Sequence, residues 1–404
     1  MTAGDPLLTG PIDLSVVLIV IFKVVVCFVF LLIATMLMVW FERKLIGDMQ
    51  NRIGPNRAGP FGILQTLADG IKLFFKEPMI PEQAESRVFR IAPYLSFIPA
   101  FLLFAIVPVG GAWANGGDGT VEIFGHTTYV QVANPPIGIL FALAMSSVAV
   151  YGVMLAGWSS GSKYPLLGSV RASAQMVSYE AAMGLTAAAV VLVTGTLTTH
   201  GMVLEQSGPG WFDWVPNWAA VTTFVVPFVI FVIAGTAELN RPPFDLVEAE
   251  QELVGGFNTE YSSIRFALFF LAEFMNTITM SAIFVTLFLG GPSGPAPIGP
   301  AWLWGFIWFF LKLFVFLFMF VWFRATLPRF RYDQLMNLGW KVLTPLALWW
   351  LLLVAAVELA QQEGWNPAAV GAGVVLIGGL AWGMIRLARA NGRALVDAGE
   401  EVFG

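Results

Sequence analysis

Only one cysteine, Cys27, and two histidines, His126 and His200, occur in 404 residues. Cys27 sits inside a long apolar run, which excludes a disulfide framework and any cysteine-held metal or iron–sulfur site. The histidines lie far apart in sequence, so nothing supports a haem or metal held by histidines within a membrane. Charge is scarce as well: 12% of residues are Asp, Glu, Lys or Arg, against about 25% in a soluble domain. The net charge of −5 gives no basis for binding nucleic acid. Apolar surface is what abounds. Hydrophobic residues make up 57% of the chain, mean hydropathy is +0.77, and apolar runs near the roughly 20 residues needed to cross a bilayer recur from end to end. The first run follows acidic residues and is too long for the apolar core of a signal peptide, so a cleavable leader is not expected. The composition specifies an all-α integral membrane protein, a polytopic bundle.

Nine spans are expected, at about 14–40, 90–111, 135–157, 171–195, 218–239, 264–290, 302–324, 341–360 and 367–388. The basic residues then alternate between loops. Arg43, Lys44, Arg52, Arg57, Lys72, Lys76, Arg87 and Arg90 fall in the first loop, Lys163 and Arg171 in the third, and Arg241 and Arg265 in the fifth. Arg324, Arg329, Arg331 and Lys341 fall in the seventh, and Arg386, Arg389 and Arg393 in the tail. With Lys23 and Lys312 inside spans, these account for all 21 basic residues. Even-numbered loops carry none, so the positive-inside rule places the N-terminus outside and the tail in the cytoplasm. Trp211, Trp214 and Trp218 fit an interfacial aromatic belt. No internal repeat supports an inverted-repeat transporter.

Two cytoplasmic loops hold more than a linker needs. In the first, Gln65, Asp69, Lys72 and Lys76 share one helix face, and Leu64, Leu67, Ile71, Phe74 and Phe75 lie on the other. The segment reads as a surface helix on lipid headgroups or as a lid over an internal chamber. In the fifth, Glu238, Asp245, Glu248, Glu250, Glu252 and Glu260 place six acids within 23 residues, with Arg241 the one base. Like charges at that density raise the proton affinity of some carboxyls. The interleaved Phe244, Leu246, Val247, Leu253, Val254 and Phe257 require part of the loop to pack. Glu180, Glu273 and Lys312 lie within spans, Glu180 about 14 Å from its helix start. Such charges face protein or water and tend to be functional. They are read either as ion pairs with Lys312 or, from Glu238 through Glu273 to Glu180, as a proton relay.

Four blocks go further: Glu42-Arg-Lys44 with Gln50 to Arg57, Gly157 to Tyr164 with Arg171 to Glu180, Glu238 to Tyr261, and Arg324 to Met336. On these the chain resembles the H subunit of the proton-pumping NADH-quinone oxidoreductase, respiratory complex I. The resemblance implies a membrane subunit on the floor of a quinone chamber, with Arg43, Phe61, Phe244, Asp245, Phe257 and Arg324 near the quinone. It implies a proton path through Glu180, Glu238, Glu248, Glu250, Glu252 and Glu273, to which Lys312 is added from its depth. Quinone, ubiquinone or menaquinone, would be the substrate. NADH, FMN and iron–sulfur clusters would belong to other subunits, and this chain would bind no cofactor. Partners would be the cluster-bearing peripheral subunits, the antiporter-like membrane subunits and lipid, in a bacterial plasma membrane. Residues 1–360 then form the family-like domain. Residues 361–404 add a ninth helix and tail, where the family typically has eight spans. A stand-alone proton or ion transporter is the alternative. A prenyltransferase would need Asp-rich motifs where this chain has mainly Glu, and a purely structural anchor would leave the acidic loop without a task.

Residues 367–385 hold 19 uncharged positions, about 28 Å of helix, followed at once by Arg386, Arg389 and Arg393. Gly371, Gly373, Gly378, Gly379 and Gly383 favour close packing on a neighbouring helix. A cysteine at Ala398 in a Cys27-free background should therefore resist an impermeant thiol reagent outside intact cells and react once the membrane is opened. Labelling from outside would remove the ninth span.

Overall fold

The structure, a computed structural model, describes residues 4–212, 215–246 and 254–376, with residues 378, 379 and 383 beyond. Its helices in chain order begin with α1 (Leu14–Met49), the amphipathic α2 (Gln65–Phe75), α3 (Ser86–Phe104), α4 (Gly138–Ser159) and α5 (Lys163–Thr194). Then come α6 (Thr199–Gln206), α7 (Ala219–Thr222), α8 (Val226–Glu238), α9 (Ser263–Phe288) and α10 (Ala301–Thr326). Tyr332–Gln362 runs as α11 (Tyr332–Leu338), a π-helical turn (Gly339–Leu343) and α12 (Thr344–Gln362). A short α13 (Pro367–Leu376) follows. Among the described residues seven helices are long and apolar enough to cross a membrane: α1, α3, α4, α5, α9, α10 and Tyr332–Gln362. The chain is an all-α polytopic membrane protein.

Two expected spans look different. The fifth is split into α7 and α8, and the 13 residues of α8 make only about 20 Å of helix. At the break Phe224 and Val225 have φ of +61° and +66°, a left-handed conformation that non-glycine residues seldom take. The carbonyl this frees, on Thr223, accepts a hydrogen bond from Trp350 Nε1 at 2.9 Å. At bilayer depth such a break needs a protein partner, because lipid offers none. The ninth shows only α13, and the rest of 367–388 lies largely outside the described residues. The fourth begins earlier than expected, at Lys163, because Pro165 falls in the first turn, where a missing N–H costs nothing.

Helix α9 is the centre. From Thr277 to Phe288 every residue is buried, the mark of a helix surrounded by others. Helices α3, α10 and α1 pack against it, with α8 and α5 touching it more lightly, and α3, α4, α5 and α8 pack in turn on one another. Close approach depends on small residues: a Cβ on Gly152 of α4 would lie 2.2 Å from Ser96 Oγ of α3. Helices α1 and α10 instead turn apolar side chains outward, among them Leu18, Phe22, Leu311 and Val315, a face suited to lipid.

The all-α expectation misses a small feature at one end of the bundle. Strands β1 (Thr120–Ile123) and β2 (His126–Tyr129) form an antiparallel hairpin. Asp5 binds Lys23 Nζ at 2.8 Å and accepts from Thr128 Oγ1, tying the N-terminal segment and α1 to the hairpin. His200 of α6 stacks on Tyr129, with ring centroids 3.8 Å apart. Its Nε2 lies 2.9 Å from the Asp118 carbonyl, which can only accept, so Nε2 carries the hydrogen. This is the hairpin end, and the end with loops 50–85 and 239–262 is the basic-loop end.

Burial pushes the His200 imidazole below its ordinary pKa, outweighing the Asp118 carbonyl and the charges of Asp118 and Asp5. The unfolded chain takes up a proton at His200 near pH 6.5, and the folded chain only at lower pH. Docking of the hairpin is thus fully stabilised above about pH 6.5 and weakens as pH falls through the folded value. Amide exchange across 120–129, corrected for intrinsic rate, should accelerate below pH 6.5, and His200→Gln should flatten that dependence.

Candidate functional site

The site grows from the last turns of α1. Leu31, Thr35, Met38, Val39 and Glu42 are its buried stripe, so helical phase turns Glu42 inward and Arg43 outward. Arg43 Nη1 pairs with Asp69 of α2 at 2.8 Å, both half-exposed. Ser263 Oγ donates to the carbonyls of Leu73 and Lys76, and Trp40 Nε1 to that of Phe61. Helix α2 therefore leans on α1 and α9 while Phe74 and Phe75 stay exposed.

Glu42 is 5% exposed and sits between two guanidinium groups. Arg241 Nη1 reaches Oε2 at 2.9 Å, and Arg324 Nη1, from the end of α10, reaches Oε1. Arg241 follows α8 directly, is itself 3% exposed, and also places Nε 3.3 Å from Glu273 Oε1. Its guanidinium carbon lies 4.3 Å from the Phe274 ring centroid, adding cation–π attraction in a desolvated place.

Glu273 lines a cavity of about 60 Å³ together with Glu238, Asn240, Asn258, Asn276 and Ser96. Glu238 Oε2, Asn258 Oδ1 and Ser96 Oγ are buried there without a hydrogen-bond partner among the described residues. Three such atoms beside one space sized for a few water molecules make a polar chamber suited to hold water. The other Glu238 oxygen accepts from Ser146 Oγ, and Glu180 accepts from Ser147 Oγ, the next residue on α4. A series of polar groups thus runs Arg324, Glu42, Arg241, Glu273, chamber and Glu238, and Glu180 is bound one residue further along α4.

The loop after α8 is fixed by Gln175. Its Nε2 donates to the carbonyls of Ala237 and Phe244 and to Asn240 Oδ1. Phe244 stacks on Phe330 at 5.4 Å and meets Tyr179 at 5.5 Å. Asp245 is buried and bound by Arg329 at 3.0 Å. Beside Phe244 lies an apolar pocket of about 380 Å³, walled also by Phe323, Leu327 and Phe330. Tyr261 donates to the Phe89 carbonyl at 3.2 Å, and burial pushes its phenol up to about 12, so it stays neutral.

The expected site residues are brought together only in part. Glu180, Glu238 and Glu273 share the polar line, Arg324 joins it through Glu42, and Phe257 lines the chamber. Phe244 and Asp245 lie on the adjoining loop, whereas Arg43 and the 71%-exposed Phe61 stand on the surface lobe. Lys312 lies apart from the carboxylates: its Nζ donates to the carbonyls of Leu289, Gly291 and Ser293 at 2.7 to 2.9 Å and lies over the Trp218 ring. Its partners are the end of α9, not Glu180 or Glu273. Glu248, Glu250 and Glu252 lie outside the described residues. Sequence reasoning missed Glu42, Arg241, Ser96, Asn258, Ser146 and Ser147 as site residues. The stripe through Leu31, Thr35 and Met38 was the signal that would have found Glu42.

Removing one partner of a buried ion pair strands the other charge, at a cost of about 3–5 kcal/mol. Glu42→Ala should lower the unfolding temperature markedly and Glu42→Gln less, because the amide still accepts from Arg241. Equal stability of both variants and the parent would show that the cluster constrains nothing.

The NADH dehydrogenase family matches residues 22–355, a range holding every residue of the line from Glu42 to Arg324. A relative from Streptomyces avermitilis, named as the H subunit of NADH-quinone oxidoreductase, is 47% identical over 368 residues, 89% of this chain and 78% of the relative. Relatives of the same name come from Frankia alni, 48% identical over 389 residues (93% and 83%), and Frankia casuarinae, 50% identical over 364 residues (88% and 77%). With identity of that order along nearly its whole length, the chain belongs to the NADH dehydrogenase family, in the group of NADH-quinone oxidoreductase H subunits.

Proposed function

We propose that this subunit forms the membrane side of the quinone chamber and the entrance of a carboxylate path that couples quinone reduction to proton pumping. The observation that carries the reading is the series of polar groups from Arg324 to Glu238, with Glu180 bound to the next serine of α4. Reduction of a quinone to a quinol consumes two electrons and two protons. The electrons come from a cluster in a neighbouring subunit, where NADH, FMN and iron–sulfur chemistry also reside. Negative charge arriving on the quinone near Arg324 competes with Glu42 for the guanidinium group. Because Glu42 shares Arg241 with Glu273, a change at one end alters the field at the other. Water in the chamber then lets a proton move between Glu273 and Glu238. The pocket beside Phe244 offers hydrocarbon-lined room for an isoprenoid tail. Arg43, Phe61, Phe244, Asp245 and Phe257 complete the quinone side, and Glu248, Glu250 and Glu252 the acidic approach.

Glu180 is half-buried midway along α5, next to exposed Ala181 and one turn before Gly184, where a Cβ would meet open space. A carboxyl at that depth requires protein cover, and small residues allow a helix to come close. This supports lateral hand-over to a membrane-arm subunit related to the antiporters. The alternation of basic residues supports a bacterial plasma membrane location with the N-terminus outside, nine spans and a cytoplasmic tail at 361–404. Lys312 acts at the hairpin end, apart from the path.

Glu180→Gln should reduce proton translocation by the assembled complex in proteoliposomes by a factor on the order of 100. Glu358→Gln, near the end of α12, should leave it unchanged at matched assembly. Equal effects would reduce Glu180 to a structural polar group.

A further inference from the structure

The carboxylates Glu238 and Glu180 belong to different helices, α8 and α5, which pack directly against each other, and helix α4 packs on α5. Its adjacent hydroxyls, Ser146 and Ser147, each bind one of the two. Successive helix positions point about 100° apart, so Ser146 faces α8 and Ser147 faces α5. Ser146 is buried, and Glu238 lines the chamber, its second oxygen without a hydrogen-bond partner among the described residues. Ser147 Oγ has a further acceptor, the Leu143 carbonyl one turn back at 3.1 Å.

We propose that Ser146 and Ser147 are positioning residues that hold Glu238 and Glu180 against α4, and that Ser147 serves both protonation states of Glu180. A hydroxyl has one hydrogen and two lone pairs. When Glu180 is a carboxylate, Ser147 O–H donates to it. When Glu180 takes up a proton, its own O–H donates to Ser147 Oγ, and the serine hydrogen turns to the Leu143 carbonyl. No group is left unsatisfied in either state, and only a hydroxyl rotates. An alanine offers nothing to either form. A Glu180 without this partner seeks another and leaves the line.

This rests on the proton-path reading, and the experiment separates the two. Ser147→Val and Ser147→Thr have nearly the same shape and differ in the hydroxyl. In the assembled complex in proteoliposomes, Ser147→Val should lower proton translocation about 10- to 100-fold, the range for loss of a hydrogen bond to a charged group. Ser147→Thr should restore it. The KM for quinone and NADH oxidation by a soluble artificial acceptor should stay as in the parent for both. Infrared difference spectra should show the carboxyl band that Glu180→Gln abolishes displaced in Ser147→Val and in place in Ser147→Thr. Ser146→Ala should reproduce the translocation loss through Glu238. Equal behaviour of the valine and threonine variants, both active or both impaired, overturns the role of the hydroxyl. If Glu180→Gln pumps normally, the path itself falls and this proposal with it. If Glu180→Gln is impaired while Ser147→Val is normal, the serine proposal falls alone.

Discussion

A carboxylate clamped by two guanidinium groups organises the basic-loop end of this molecule. Taking Glu42 and Arg241 out of water carries a desolvation penalty that good geometry has to offset. The geometry comes from four separate elements. Helix α1, at 36 residues or about 54 Å, is longer than a bilayer core is thick and carries Glu42 near its C-terminal end. The turn after α8 throws Arg241 inward, α10 ends with Arg324 in its last turn, and α9 offers Glu273. None of these contacts is local, so the cluster fixes how the helix ends sit against one another. Any event that adds charge near Arg324 acts on all of them.

The two halves of the bundle have opposite character. Toward the basic loops, polar side chains line a small chamber. Toward the hairpin end, Met183, Ala187, Val190, Phe231, Ile283 and Leu287 close the interior with apolar packing. Polar residues in that half serve the backbone. Gln206 accepts from the N–H groups of Ala219 and Gly290 and donates to the carbonyls of Met202, Thr286 and Leu287. Lys312 closes the frayed end of α9, and Trp350 answers the carbonyl freed at the break between α7 and α8. These are solutions to one constraint, that lipid supplies no hydrogen bonds. In the proposed reading, a proton at Glu180 meets dry packing ahead and leaves sideways.

Much of this was legible in the chain as written. Apolar runs, their length and the alternation of basic residues are one-dimensional signals, and they gave a polytopic helical bundle with charged residues inside it. Glu180, Glu238 and Glu273 stood out because a carboxylate interrupting an apolar run is visible without any neighbour. The split fifth span was legible only in part: Pro227, in the first turn of α8, marks a helix start, but Phe224 and Val225 carry no glycine to announce their left-handed conformation. The hairpin 120–129 was likewise hidden among loop residues, and its anchors Asp5 and His200 lie far away in sequence.

Sequence alone determined that the chain lives in a membrane, which helices carry acids, and, through the matched blocks, the family to which it belongs. Tertiary structure decided what each charge does. Lys312, read from its depth as part of the proton path or as a counter-ion for Glu180 or Glu273, binds three carbonyls, because α10 brings it to the end of α9. Arg43 and Arg324 were both expected near the quinone; α1 turns Arg43 outward to Asp69 and Glu42 inward to Arg324. The partners of Glu42 lie 199 and 282 residues away. No local pattern encodes contacts at such separation; only the packing of helices that are themselves specified locally brings those groups within a hydrogen bond of each other.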